Sequence, residues 1–137
     1  MNDTIFIDTS AFLALYIKDD AFHASALQAL EKIKKEHNRL ITSNFILDEV
    51  YTFLRARKSK ELALDFAQLL IENSDIVKVI RITVKDEQEA FRFFTALNGR
   101  GVSFTDCTSF ALMKRIGVAT AFAFDHDFID AGLKLVP

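Results

Sequence analysis

Apolar runs alternate along this chain with longer segments of helical spacing, and this alternation predicts an α/β fold. The short β-rich runs at residues 5–7, 39–42, 77–82 and 118–124 are typical of buried strands, and residues 133–136 form a shorter one. Amphipathic helical segments separate these runs. The order predicts a central parallel sheet of about four to five strands, flanked by helices on both faces.

Small polar residues mark the starts of most predicted helices. Thr83 with Asp86 resembles a capping box, and Gly117 is placed to end the last long helix. The predicted helices cover residues 10–18, 22–37, 45–57, 60–73, 84–98 and 105–116, with the other caps at Thr9 or Ser10, Ser43 or Asn44, Ser59 and Thr105.

The composition indicates one globular domain that spans residues 1–137. Half of the residues are hydrophobic and the only proline is the terminal Pro137, so no linker divides the chain. The single cysteine, Cys107, excludes an intrachain disulfide and fits a reducing compartment. The sequence has neither a signal-peptide pattern nor an apolar run of membrane length, so we expect a cytoplasmic protein.

The charge pattern indicates no single class of partner. The formal net charge of −2 does not by itself suggest a nucleic-acid-binding protein. Basic residues do cluster at residues 55–60 and 114–115, which often means a solvated surface. No glycine-rich nucleotide-binding loop is present, and His23, His37 and His126 lack the spacing of a metal site or a catalytic triad.

Two predicted strands run directly into a carboxylate. Residues 5–7 are followed by Asp8, and residues 118–124 are followed by Asp125. Either acid could simply cap the next helix. In open α/β sheets, however, functional sites form beyond the carboxyl ends of the strands, which is where both acids would lie.

A third acid falls within an apolar stripe of the helix that starts near Phe45. At about 100° per residue, Glu49 lies between Phe45 and Phe53, whereas Asp48 points to a more polar side. Glu49 either reaches water or an Arg from a boundary position, or is buried and needs a partner.

Asp106 is the fourth acid, at the start of a helix that also carries Phe110 and Met113. These two residues follow on the same helical face, so Asp106 is expected to point inward. The helix dipole explains an acid at this end of the helix, but it does not explain the inward direction.

Convergence of these acids would create a strong repulsion that protons or a cation must relieve. Mg²⁺ takes oxygen ligands and keeps several waters, so it can orient a phosphodiester and lower the pKa of a bound water. The sequence therefore predicts a site for one or two such ions.

Four motifs, in this order, resemble the PIN domain family. They are IFIDTSAFLAL, TSNFILDEVYTFL, SFTDCTSFALMKRIGV and AFAFDHDF, and together they extend over nearly the whole chain. A chain of this length resembles in particular the VapC-like toxins of prokaryotic toxin–antitoxin pairs. The resemblance implies a ribonuclease dependent on Mg²⁺ or Mn²⁺, which hydrolyses RNA phosphodiester bonds and leaves 5′-phosphate ends.

The resemblance also implies roles for particular residues. Asp8 and Asp106 would be the firmest metal ligands, Ser10 a small polar residue near the metal, and Asp127 an accessory acid. The implied catalytic, metal-binding quartet consists of Asp8, Glu49, Asp106 and Asp125.

Basic residues around an acidic cleft would have to hold the RNA backbone. Arg100 is the foremost candidate, because its loop is close in sequence to Asp106. The other candidates are Arg55, Arg57, Lys58, Lys114 and Arg115. The resemblance further implies a homodimer and a separate antitoxin protein.

Two alternatives stay open at the level of sequence. A PIN-like protein with a degenerate site would be an RNA-binding or scaffold protein, and an intact nuclease could process RNA outside a toxin–antitoxin pair. Turnover of RNA separates the first alternative from an enzyme, and a neighbouring small gene for a DNA-binding protein would favour the toxin.

Overall fold

The computed structural model describes residues 3–137, and these form one five-stranded sheet flanked by helices. The strands are β1 (Thr4–Ile7), β2 (Arg39–Ser43), β3 (Val77–Ile80), β4 (Thr120–Phe122) and β5 (Lys134–Val136). Their order across the sheet is β3-β2-β1-β4-β5, and every neighbouring pair is parallel. The predicted α/β fold with a parallel sheet is confirmed.

Seven helices connect these strands within residues 3–137. They are α1 (Thr9–Tyr16), α2 (His23–Lys35), α3 (Asn44–Arg57), α4 (Lys60–Glu72), α5 (Val84–Ala96), α6 (Phe104–Ile116) and α7 (Asp127–Asp130). Helix α3 packs against α4 and α6, and α5 packs against α6. None of the helices described here is both long and apolar enough to pass through a bilayer.

Helix α6 is the central helix of the fold. All of its residues from 106 to 113 are buried, including the polar Asp106, Thr108 and Ser109. It ends at Gly117, whose φ of 73° is the left-handed conformation that glycine adopts without strain. This burial fixes Asp106, at the start of α6, against the rest of the core.

Phenylalanine rings fill the space between α6 and the sheet. Phe6, Phe110, Phe122 and Phe128 are all fully buried. The rings of Phe110 and Phe128 meet edge to face with their centroids 5.0 Å apart, which is a favourable aromatic geometry. Burial of each ring contributes roughly 1.5–3 kcal/mol, so this cluster stabilises the packing of α6 against the sheet.

Several helix starts differ from the sequence-based prediction. Asp8, not Thr9 or Ser10, caps α1, because its carboxylate accepts the Ser10 backbone N–H. Ser103, not Thr105, caps α6, because it forms a capping box with Asp106. The short helix α7 was not predicted. The capping box of Thr83 and Asp86 at the start of α5 is confirmed.

Three strands are shorter than predicted, β5 by one residue and β3 and β4 by more. β3 ends at Ile80 rather than at residue 82, since the Ile82 N–H donates to the Asn44 side-chain oxygen at 2.8 Å instead of to a strand. β4 covers only Thr120–Phe122, the three residues that pair with the equally short β5. The chain therefore leaves the sheet before Asp125.

Candidate metal centre

The acidic residues meet at the carboxyl edge of the sheet, where β1 and β4 end. β1 is the central strand, and the chain continues from it to β2 on one side, whereas β4 lies on the other. Such a reversal of strand order opens a crevice beyond the strand ends. Asp8 follows β1 directly, and Asp125 follows β4 after two further residues.

Asp8 is buried, with only 3 % of its surface exposed, and its two oxygens have different environments. Oδ2 accepts hydrogen bonds from the Ser10 backbone N–H at 3.1 Å and from the Ser10 hydroxyl at 2.6 Å. Oδ1 is buried and has no hydrogen-bond partner. A buried carboxylate oxygen without a partner is costly, so Oδ1 is a group that a cation would satisfy.

Ser10 ties the ends of β1 and β4 together. While its hydroxyl donates to Asp8, it also accepts the Phe124 backbone N–H at 3.0 Å. The Asp8 backbone N–H in turn donates to the Phe122 carbonyl at 3.0 Å. The position of Asp8 is therefore fixed relative to the segment that carries Asp125.

Asp106 is held by the capping box of α6. Its Oδ2 accepts the Ser103 backbone N–H at 3.0 Å, and its own N–H donates to the Ser103 hydroxyl at 3.0 Å. Only 7 % of Asp106 is exposed, in agreement with the predicted inward direction beside Phe110 and Met113. The same carboxylate therefore stabilises the helix start and lies in the crevice.

Three carboxylates form a compact cluster. Single oxygens of Asp106, Asp125 and Asp127 all lie within 4.8 Å of one another. The Asp127 backbone N–H donates to Asp125 Oδ1 at 2.9 Å, which folds the short α7 back toward α6. Asp127, which the sequence presented only as an accessory acid, is thus within the cluster.

Burial and mutual repulsion raise the pKa values of these acids. Burial raises the pKa of Asp8 to about 6, against the lowering effect of the Ser10 hydrogen bonds, and the charges of Glu49 and Asp125 raise it further. Burial, followed by the charges of Asp8, Asp125 and Glu49, raises the pKa of Asp106 to about 7. Burial and the Asp125 charge also raise the pKa of Asp127. Full ionisation of these carboxylates at neutral pH is therefore energetically unfavourable in the absence of a cation.

The predicted apolar stripe of α3 is wrong. The buried face is formed by Ile46, Val50 and Leu54, whereas Phe53 is 38 % exposed. Glu49 is half-buried beside this face, and its charge acts on both Asp8 and Asp106. The structure thus brings Glu49 to the crevice from a boundary position, while Asp48 is exposed as expected.

The basic candidates are distributed unevenly around the crevice. Lys114 lies at the opposite end of α6 from Asp106, where its ammonium bonds to Glu89 at 2.7 Å. Arg115 bonds to the buried Asp86. Both are therefore engaged away from the carboxylates.

The remaining basic candidates lie closer to the site or on exposed surface. A Cβ on Gly99 would lie 3.4 Å from Asp127 Oδ1, so the loop that carries Arg100 passes directly beside the cluster. Arg55 is exposed on α3. Lys58 forms an ion pair with Asp19, with 3.6 Å between the Lys58 Nζ and the Asp19 Oδ1. Arg57, eight residues after Glu49 on the same helical face, lines a groove with Glu49 and Thr105. That i, i+8 spacing is the sequence signal that distinguishes Arg57 from Arg55.

The donor set fits a hard divalent cation. All of the converging groups are carboxylates, one oxygen is buried without a partner, and the pKa values are raised by mutual repulsion. Oxygen ligands and an unbalanced negative charge are what a cation such as Mg²⁺ requires. The part of the chain that the structure describes therefore contains an acidic cluster suited to metal binding.

Comparison with known proteins identifies the family. The PIN domain family matches residues 5–134. The chain belongs to the PIN domain family. It is also 36 % identical, over 128 residues, to the 23S rRNA-specific endonuclease VapC20 of Mycobacterium tuberculosis, with 93 % of this chain and 94 % of that protein covered. This relationship confirms the predicted PIN-domain nuclease of the VapC toxin type.

Solved structures agree with this assignment. The crystal structure of M. tuberculosis VapC20, described as a sarcin–ricin loop cleaving toxin, superposes with a TM-score of 0.85 at 34 % identity and covers 98 % of this chain and 100 % of its own. VapBC2 from Rickettsia felis, bound to a promoter DNA fragment, matches with a TM-score of 0.71 at 19 % identity, and each chain is 96 % covered. FitAcB from Neisseria gonorrhoeae matches with a TM-score of 0.72 at 11 % identity, with 98 % of this chain and 97 % of its own covered. The last two show the fold alone.

Proposed function

We propose that this PIN-family nuclease binds Mg²⁺ or Mn²⁺ through its acidic crevice and hydrolyses RNA phosphodiester bonds there. The observation that carries the proposal is the cluster of three carboxylates, contributed by the α6 start and the β4–α7 segment. The buried Asp8, at the end of β1, is close enough for its charge to act on Asp106, and its Oδ1 has no hydrogen-bond partner. The proposed ligands are Asp8, Asp106 and Asp125, with Glu49 and Asp127 completing the crevice.

The protein side chains prepare this site before RNA arrives. Ser10 orients Asp8 through a 2.6 Å hydrogen bond, and Ser103 holds Asp106 through its backbone N–H. A divalent ion bound there would neutralise the carboxylates, polarise the scissile phosphate and lower the pKa of a water. Arg100 follows Gly99 on the loop that passes beside Asp127, and we propose that it binds an RNA phosphate.

The proposed substrate is a loop of large-subunit ribosomal RNA. The support is the similarity to VapC20, which is named for 23S rRNA and the sarcin–ricin loop and is matched over nearly the entire chain. A looped RNA also suits the site physically, because its bases are unstacked and its backbone is accessible.

A cleavage map on intact ribosomes tests the substrate. Purified protein would be incubated with ribosomes and Mg²⁺, and the breaks in 23S rRNA located by primer extension. We expect one dominant break in the sarcin–ricin loop, which is absent with EDTA and with Asp8→Asn. Efficient cleavage of other RNA with that loop left intact would contradict the proposed substrate and leave the nuclease activity standing.

We also propose a cytoplasmic protein that pairs with an antitoxin and forms a homodimer. Related assemblies have been solved as VapBC2 and FitAcB, and large apolar side chains are exposed along α4 of this chain. They are Leu64 at 57 %, Leu69 at 47 % and Ile71 at 67 %. Leu64 and Ile71, seven residues apart, lie on the same face of α4, and a partner could bury both side chains.

Native mass measurement tests these partners. The protein would be expressed alone and together with any small protein that an adjacent gene encodes. We expect a mass of two chains alone and a larger complex, with suppressed RNA cleavage, on co-expression. A monomeric mass that stays unchanged on co-expression would favour an RNA-processing nuclease.

A further inference from the structure

A groove runs between α3 and the start of α6, next to the acidic crevice. Its volume is about 390 Å³, which is within the range of small-ligand sites. The α3 side of the groove is lined by Asp48, Glu49, Thr52, Phe53, Ala56 and Arg57, and the α6 side is lined by Thr105. Thr105 immediately precedes Asp106, so the groove opens beside the carboxylates.

Two side chains of this groove are unengaged within residues 3–137. Phe53 presents 38 % of its surface to solvent, although it lies on a well-packed helix. Arg57 is exposed and forms no ion pair among the described residues, in contrast to Arg92 and Arg115. An exposed aromatic ring and a free guanidinium side by side are suited to a base and a phosphate.

We propose that this groove binds the RNA nucleotide adjacent to the scissile phosphate, with the Phe53 ring stacked on its base and Arg57 bound to its backbone phosphate. The inference rests on the proposed nuclease function and extends it to a substrate-binding subsite. Stacking on Phe53 requires a base that is not paired within an RNA double helix, so the subsite selects looped or single-stranded RNA. Arg57 offsets the repulsion between the carboxylates of Asp48 and Glu49, which also line the groove, and the RNA backbone.

Paired substitutions test each side chain. Phe53→Leu removes the ring but keeps an apolar side chain, and Phe53→Tyr keeps the ring. Arg57→Gln removes the charge, and Arg57→Lys keeps it. Matched controls are Phe91→Leu, an exposed ring on α5, and Arg39→Gln, an exposed arginine at the start of β2. Steady-state cleavage of a loop RNA gives kcat and KM, and salt titration of RNA binding gives the charge contribution.

We expect Phe53→Leu to raise KM about tenfold with kcat within about twofold of the parent, while Phe53→Tyr stays near the parent. Arg57→Gln should raise KM severalfold and reduce the salt slope of binding by about 0.7, with partial recovery in Arg57→Lys. Both controls should match the parent, and the native mass should be the same for every variant.

Unchanged KM in Phe53→Leu and Arg57→Gln, with cleavage intact in the parent, would overturn the subsite and leave the nuclease proposal standing. A change of native mass in these variants would also overturn it, because the groove would then be a protein–protein contact. If the parent itself cleaves no RNA with Mg²⁺ or Mn²⁺, the proposed function fails and the subsite fails with it.

Discussion

Asp8 has one carboxylate oxygen that stabilises the fold and another that is available to the proposed metal site. Its Oδ2 caps α1 through Ser10, which is the ordinary role of an Asp at a helix start. Its Oδ1 is buried without a partner, which helix capping does not explain. The sequence located this acid at a strand end, but it could not show that one oxygen is hydrogen-bonded and the other is not. That difference depends on where the β4–α7 segment packs.

The raised pKa values make the metal-free protein sensitive to pH. Asp8 and Asp106 have folded pKa values of about 6 and about 7, against ordinary values of 3.8. Their protonated forms are favoured in the folded state, so their contribution to stability is full below pH 4 and is lost as the pH rises through 6 to 7. In EDTA, we expect the free energy of unfolding to fall by on the order of 2 kcal/mol between pH 5 and pH 7.5, after allowance for solvent screening at Asp106.

Urea unfolding in EDTA at the two pH values measures this difference. Asp8→Asn and Asp106→Asn should each flatten the dependence and raise the melting temperature of the metal-free protein at pH 7.5 by about 4 °C or more. Mg²⁺ should stabilise the parent at pH 7.5 and have little effect on either variant. Stability that rises from pH 5 to pH 7.5 in EDTA would contradict the electrostatic account of the crevice.

At the scale of elements, the caps determine where the acids point. The sequence predicted α6 and its end at Gly117, but it assigned the cap to Thr105 instead of Ser103. Both residues are good caps, and only the fold shows which backbone N–H groups are free. For α3, the spacing of Phe45, Glu49 and Phe53 looked like a core stripe, yet the adjacent Ile46, Val50 and Leu54 are buried. The helix therefore has two faces with apolar residues, and only tertiary packing determines which of them is buried.

Ser103→Ala tests whether the α6 cap also prepares the metal site. The hydroxyl accepts the Asp106 N–H, so its loss should cost about 1 kcal/mol of stability and loosen Asp106. Ser59→Ala is the matched control, because Ser59 caps α4 in the same way. Urea unfolding should show a similar loss in both variants, whereas Mn²⁺ titration should show weaker binding only in Ser103→Ala. Equal Mn²⁺ affinity in Ser103→Ala and Ser59→Ala would show that the α6 cap does not contribute to metal binding.

Arg115→Gln tests the role of the α5–α6 contact. Arg115 forms a bidentate pair with Asp86, which is only 2 % exposed and also accepts the Thr83 backbone N–H in the capping box of α5. Removal of the guanidinium leaves the buried Asp86 carboxylate without its opposite charge, so the free energy of unfolding should fall by about 2 kcal/mol. Cleavage of RNA at a temperature where the variant is folded should match the parent. A reduced kcat/KM under those conditions would assign Arg115 to RNA binding instead.

At the scale of the whole molecule, strand order brings the site together. The sequence predicted parallel strands, and it predicted that Asp8 and Asp125 lie at strand ends. It did not show that β4 pairs directly with β1, which places the two acids in one crevice. Strand neighbours depend on long-range packing, which local periodicity does not record. The position of Asp127 in the cluster was underestimated for a different reason, because the four-residue α7 is too short to leave a periodic signal in the sequence.

RNA cleavage by the purified protein at pH 7.5 tests the central claim most directly. The parent and Asp106→Asn would be incubated with a loop RNA in Mg²⁺ or EDTA, and the ends of the products identified by mass spectrometry. We expect cleavage only by the parent with Mg²⁺, with 5′-phosphate and 3′-hydroxyl ends. Cleavage that persists in EDTA or in folded Asp106→Asn would contradict a metal-dependent site built on these carboxylates.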